Sequence, residues 1–171
     1  MDITEVILSD HHEQRRMFAM LEEIDTSDRD ALSAVWGRLR ILLEVHAKAE
    51  EILFYPRLVK LQRDLVEKES PQEETEDAIH DHNEIRDAIA GVDDHEVGSI
   101  DWLKAIAEVN EVNSDHMAEE ERQGLTDIRR HLDRDERHRM AVAFLAFESR
   151  HAAAGVIPRD EDPEEYVEEH S

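Results

Sequence analysis

The chain contains no cysteine, and this absence excludes several kinds of site. Disulfides, thiolate zinc sites, all-cysteine iron–sulfur clusters and a cysteine nucleophile all require a thiol. Long apolar segments are also missing, since the longest strongly apolar run is Met140–Phe147. A membrane-spanning helix needs roughly 20 such residues.

Basic residues are few. Lys and Arg total 20 against 44 Asp and Glu, and the formal net charge is −24. A surface of this sign repels nucleic acid and anionic membranes, so we expect neither as a partner. The N-terminal segment Met1–Asp10 is acidic and has no basic n-region, so no signal peptide is predicted. We therefore expect a cytoplasmic protein, and no protein partner is evident.

The pattern of apolar residues predicts an all-α fold. Glycine (5) and proline (4) are scarce, and apolar residues recur every three or four positions. The predicted helices cover about 3–24, 29–68, 71–90, 100–131 and 134–153, and Pro56 kinks or splits the second. Four long helices with short connections favour an up-down-up-down four-helix bundle. We expect the additional C-terminal helix to pack across one end or along one side.

The domain boundary is expected near residue 154. Residues 1–154 form the predicted bundle, and residues 155–171 form an acidic tail. The segment Asp160–Ser171 carries seven acidic side chains and no Lys or Arg, which predicts a largely disordered tail.

Two His-x-x-x-Glu pairs stand out among the eleven histidines. They are His46 with Glu50 and His116 with Glu120. A spacing of four residues on a helix separates two side chains by about 40° and about 6 Å along the axis. Both members of a pair can therefore reach one metal ion, or a metal ion and its bridged neighbour.

Each pair follows a histidine on the preceding predicted helix, which is His11 for the first pair and His82 for the second. The offset between the two sets is 71 residues for the lone histidines and 70 for the pairs, which indicates an internal repeat. All six residues share faces with apolar positions, where a carboxylate is costly unless it is paired or bound to metal. A single such histidine favours a hydrogen-bonded core residue, whereas two matching sets favour metal binding. Imidazole and carboxylate ligands without thiolate suit iron, zinc or manganese.

Over roughly residues 3–131, these motifs resemble the hemerythrin-like, or HHE cation-binding, domain family. The resemblance implies a four-helix bundle that holds two iron ions with an oxo or hydroxo bridge, although spacing alone leaves zinc and manganese open. It also implies small oxidants as ligands, namely O2, hydrogen peroxide or nitric oxide. The implied ligands are His11, His46 and Glu50 in one half-site, and His82, His116 and Glu120 in the other, with Glu50 and Glu120 as bridges.

The chain departs from the invertebrate oxygen carriers of that family at two points. Those carriers have a second histidine one turn from the third-helix ligand, whereas Ala78 and Arg86 stand at the corresponding positions around His82. Their last carboxylate is an aspartate five residues after the histidine, a position that Glu121 occupies here, so Glu120 and Glu121 compete for one role. These departures argue against reversible O2 transport and make the chain more similar to bacterial, particularly actinobacterial, members.

Tyr55, just before Pro56, is a candidate for the missing ligand. The comparison with bacterial members favours a phenolate at this position, and the alternative is a ring with its hydroxyl at the bundle surface. Weaker candidates are His12 and His80, while Glu51 matches Glu121 across the repeat and is a candidate acceptor for a ligand histidine.

We therefore expect a diiron protein that reacts with small oxidants in oxidative or nitrosative stress defence, with catalase- or peroxidase-like turnover as one form of that activity. The alternative is a non-catalytic sensor or carrier of O2 or iron. A metal-free helical bundle that binds a protein partner is the least favoured interpretation.

Overall fold

The computed structural model describes residues 1–61 and 70–171, and within these ranges the chain is helical with no β-strand. It forms eight α-helices there: α1 (Ile3–Glu23), α2 (Arg29–Leu53), α3 (Tyr55–Leu61), α4 (Pro71–Val92), α5 (Ile100–Arg122), α6 (Gly124–His131), α7 (Arg134–His151) and α8 (Pro163–His170). The predicted all-α class is confirmed. The second predicted helix extended to residue 68, and its part beyond residue 61 lies outside the described residues. None of the described helices combines the length and apolar character needed to cross a membrane.

Helices α1, α2, α4 and α5 form the four-helix bundle. Each contacts two of the others, so that α1, α2, α4 and α5 follow one another around the bundle and α5 returns to α1. Side chains cap the N-terminus of each: Asp2, Asp28, Ser70 and Ser99 accept hydrogen bonds from backbone N–H groups in the first turn. Ser70 also forms a capping box with Glu73, which explains why α4 begins at the predicted position.

Two helices of the bundle are interrupted at matching positions. The break between α2 and α3 lies at Phe54, as expected from the neighbouring Pro56. The break between α5 and α6 lies at Gln123, about 70 residues later, so the prediction of one continuous helix over 100–131 was wrong. A Cβ atom on Gly124 would lie 3.4 Å from the side chains of Phe54 and Leu58. The missing side chain allows α6 to approach α3 closely, and this contact between the two halves accompanies the break.

Two apolar clusters fill the bundle, one toward each end. One includes Ile7, Leu58, Ile128 and Phe144, and the other includes Phe18, Leu32, Leu39, Trp102 and Val109. Buried polar residues of α1, α2, α4 and α5 complete the interior.

The C-terminal helices cover the outside of the bundle. Helix α7 packs against α1 and α2, along one side, whereas α8 packs against α3 and α4. The prediction of a disordered tail was therefore wrong for α8. Its Tyr166 and Val167 are buried, and the Tyr166 hydroxyl donates to the backbone carbonyl of Glu51. Two adjacent apolar side chains thus anchor a segment whose composition alone favours solvation.

Candidate metal centre

The six residues of the repeated motif converge inside the bundle, and each is less than 5% exposed. Five of them fall into two groups in which the candidate ligand atoms lie within 4.8 Å of one another, and Glu120 lies beside these groups. One group contains His11, His46 and Glu50, and the other contains Glu50, His82 and His116. The repeat seen in the sequence therefore becomes two adjacent clusters of nitrogen and oxygen atoms.

Glu50 belongs to both groups. Its Oε1 lies 2.9 Å from Nε2 of His46, and its Oε2 lies 3.4 Å from Nε2 of His82. Glu120 also crosses between the halves, because its Oε2 lies 3.4 Å from Nε2 of His11. Glu50 thus contacts imidazoles of both halves, and Glu120 contacts an imidazole of the other half.

The inward atoms of this cluster are chemically unsatisfied in a way that fits a metal ion. Nε2 of His11 and His46, and both carboxylate oxygens of Glu50 and Glu120, are buried without a hydrogen-bond partner. Such atoms are costly inside a protein unless a partner of opposite charge is supplied. A set of imidazole nitrogens and carboxylate oxygens without thiolate suits iron, manganese or zinc.

Each of the four motif histidines has a carboxylate facing its outer ring nitrogen, Nδ1. The Nδ1 contacts are Glu121 with His11 at 3.0 Å, Asp10 with His46 at 3.4 Å, Glu51 with His82 at 3.1 Å, and Asp81 with His116 at 3.3 Å. A carboxylate at Nδ1 holds that proton and leaves Nε2 free to bind a metal. Hydrogen bonds of this kind orient His11, His82 and His116 with Nε2 inward, whereas Nδ1 of His46 faces Asp10 without a hydrogen bond.

Sequence reasoning identified Glu51 as an acceptor but missed Asp10, Asp81 and the outer role of Glu121. A pattern was present, since Asp10 and Asp81 each come directly before a motif histidine and are themselves 71 residues apart. The contacts repeat as well. Each aspartate faces the histidine of the next helix in its own half, whereas Glu51 and Glu121 face the lone histidine of the other half.

Charge interactions shift the proton affinities of the cluster. Burial lowers the pKa of His82, but contacts with Glu50 and Glu51 outweigh this effect and raise it to about 9. Burial raises the pKa of Glu50, but His46 and His82 together hold it well below its usual value. The acidic neighbours therefore favour a proton on His82, and metal binding at its Nε2 must displace it.

Tyr55 lies beside the second group. Its side chain is fully buried, and its hydroxyl is 3.4 Å from Nε2 of His82. This position differs from the surface alternative, in which the hydroxyl would reach solvent. Burial raises the pKa of Tyr55 well above its usual value, and the charges of Glu120 and Glu50 add to the effect. A phenolate there requires a nearby cation. At the corresponding position of the other half stands Leu125, so the hydroxyl makes the two groups unequal.

The remaining candidates point away from the cluster. His12 is exposed, and His80 is exposed with a contact to Glu84 at 3.4 Å. Glu121 is partly exposed and also contacts Arg15 at 2.8 Å, so Glu120 and not Glu121 supplies the inward carboxylate of this pair.

A narrow cleft with a volume of about 20 Å³ reaches the second group from outside, with Ala78, Tyr55, His116 and Glu120 in its wall. Ala78 is one of the two positions at which the oxygen carriers' extra histidine was expected. Its small side chain leaves this space open beside the buried ligand candidates.

Comparison with known proteins agrees with this arrangement. A family model described as the hemerythrin HHE cation binding domain matches residues 2–126. An uncharacterized hemerythrin-like protein of Schizosaccharomyces pombe is 24% identical over 145 residues, which are 83% of this chain and 66% of that protein, so the chain spans slightly less than two thirds of its relative. No solved structure matches. These comparisons do not test the expected actinobacterial type, which stays a prediction. The family match covers all six motif residues, and the chain belongs to the hemerythrin HHE cation-binding domain family.

Proposed function

We propose that this chain holds two iron ions between α1, α2, α4 and α5 and uses them to react with small oxidants. The proposed ligands are His11, His46, Glu50, Tyr55, His82, His116 and Glu120. The observation that carries the proposal is the position of Glu50, whose two oxygens face imidazoles of different halves at 2.9 and 3.4 Å. A shared carboxylate of this kind favours two metal ions over one.

A bound iron pair supplies electrons, or accepts them, in reactions with O2, hydrogen peroxide or nitric oxide. The protein supplies orientation and exclusion of water. Carboxylates hydrogen-bonded to Nδ1 of His11, His82 and His116 hold the protons that face away from the centre, and apolar clusters lie toward both ends of the bundle. Tyr55 provides the phenol group beside the second group. The chain's other tyrosine, Tyr166, uses its hydroxyl to donate to a backbone carbonyl.

The access to the second group favours an uncharged, small substrate. The cleft beside Tyr55, His116 and Glu120 is narrow, and Asp77, Asp81 and Glu119 are among its lining residues. Carboxylates in a confined space repel anions. Hydrogen peroxide and nitric oxide are uncharged, so these carboxylates do not repel them. This supports a role in oxidative or nitrosative stress defence within the cell.

The test is peroxide consumption by iron-loaded protein, followed together with O2 evolution. Sustained turnover that disappears in the His116→Ala variant is the expected result. A stoichiometric reaction that ends after one equivalent per centre would instead favour the carrier or sensor alternative. Protein that binds no iron would contradict the proposed centre itself.

A further inference from the structure

The cleft described above opens into a group of carboxylates that we call the acidic mouth: Glu74, Asp77, Asp81 and Glu119. We propose that the acidic mouth is the path by which divalent cations reach the centre. This inference rests on the proposed ligand set, because it concerns how a metal ion arrives there. It assigns a role in metal entry to carboxylates that are not among the proposed ligands.

The carboxylates of the acidic mouth form a gradient of burial. Asp77 and Glu119 are exposed, Glu74 and Asp81 are half-buried, and Glu120 at the inner end is buried. A wider outer depression of about 480 Å³ shares Glu74, Asp77 and Glu119 with the inner cleft and adds further acidic residues. Oxygen ligands are therefore available to a cation from the surface to the buried cluster.

Glu120 shows that the path ends at a place that requires a cation. It is 4% exposed, it lines the cleft, and neither of its carboxylate oxygens has a hydrogen-bond partner. His116 lies at the same inner end. A hydrated cation that moves inward can exchange water for carboxylate oxygen in steps, which lowers the cost of its dehydration.

Basic groups lie elsewhere around the centre. Arg15 contacts Glu121 at 2.8 Å and Arg86 contacts Glu51, so guanidinium groups cover two of the outer carboxylates. Among the described residues that line the inner cleft there is no lysine or arginine. Arg122 lines the outer depression, where it contacts Glu119 at 3.4 Å on the exposed surface. The side of the centre near His116 therefore attracts cations more strongly than the sides covered by Arg15 and Arg86.

The experiment measures the rate of Co(II) uptake by metal-free protein, because Co(II) gives visible absorption when it is bound and is not oxidised during the measurement. The test variant is Asp77→Asn with Glu119→Gln. The matched control is Glu108→Gln with Glu111→Gln, which removes two exposed carboxylates of α5 outside the cleft. Both variants change the net charge equally. Removal of Co(II) by a chelator gives the dissociation rate of each protein.

We expect the second-order uptake rate at low salt to fall about tenfold in the test variant and less than twofold in the control. The dissociation rate and the final Co(II) content should stay unchanged, and high salt should remove the difference between the variants. Equal slowing in both variants would overturn the proposal, because net charge alone would then drive uptake. The proposal would also be overturned if the test variant took up Co(II) as fast as the wild type, or if only its dissociation rate changed. A wild-type protein that takes up no Co(II) would instead refute the proposed centre.

Discussion

The Oε2 atom of Glu50 on α2 lies 3.4 Å from Nε2 of His82 on α4, although the two residues belong to different halves of the internal repeat. The reciprocal contact joins Glu120 and His11 at the same distance. Glu50 also contacts His46 of its own half, so its carboxylate is shared between the two groups. This sharing makes the two candidate metal positions dependent on each other.

Replacement of Glu50 by Ala should remove both metal ions, because its carboxylate serves both groups. Replacement of Glu121 by Ala should keep both ions and weaken their binding by about 10- to 100-fold, since Glu121 faces the outer nitrogen of His11 and Arg15 rather than the inner cluster. Metal content after dialysis against a weak chelator measures the difference. Two ions retained by the Glu50 variant would contradict the shared position.

Tyr55 should give ferric protein a visible charge-transfer band if its phenolate binds iron. The Tyr55→Phe variant should lose this band while it keeps two irons, and its rate of peroxide consumption should change. Tyr166→Phe is the matched control, because Tyr166 is the chain's other tyrosine and its hydroxyl donates to the carbonyl of Glu51. A Tyr55→Phe protein with the wild-type spectrum and rates would show that Tyr55 only packs beside His82.

The pH dependence of stability should have opposite signs with and without metal. In metal-free protein the pKa of His82 is raised to about 9, and the unfolded value is about 6.5. Protonated His82 therefore stabilises the fold fully below about pH 6.5, and this contribution is lost as the pH rises through 9. Metal binding needs neutral imidazole, so the metal-bound protein loses stability as the pH falls below about 6.

Thermal melting from about pH 5 to about pH 9 tests both signs. The melting temperature of the metal-bound protein should exceed that of the metal-free protein by a margin that widens as the pH rises. A constant margin across this range would show that His82 does not exchange a proton for the metal.

Tyr166 should contribute to stability through its hydrogen bond as well as its burial. The Tyr166→Phe variant should lose about 1–2 kcal/mol of unfolding free energy, since it leaves the carbonyl of Glu51 without this donor. Glu168→Gln, on the exposed face of α8, serves as the control and should change stability by less than about 0.5 kcal/mol. Urea unfolding of the metal-free proteins measures both values. Equal stability of the two variants would mean that α8 does not dock in solution.

Helical periodicity and the 70-residue repeat were sufficient to predict the bundle and the six buried motif residues. They were sufficient because each helix buries one face, and a histidine on that face is visible in the sequence. The outer carboxylates were harder to identify. With 44 acidic residues in the chain, the position of Asp10 and Asp81 directly before a motif histidine was a weak signal, and their role depends on contacts made across helices.

The break at Gln123 and the docking of α8 depend on tertiary contacts in the same way. Gly124 allows α6 to lie against Phe54 and Leu58, residues far away in the sequence. Tyr166 and Val167 anchor an otherwise acidic segment on α3 and α4. Local composition favoured a continuous helix in the first case and a solvated tail in the second, and long-range packing outweighed it in both.

The iron content of the protein purified under air, measured by mass spectrometry together with zinc and manganese, tests the central claim most directly. The account predicts two irons per chain in the wild type and a clear loss in both His46→Ala and His116→Ala, because each histidine belongs to a different group. One metal ion per chain, zinc or manganese in place of iron, or two irons retained in both variants would contradict it.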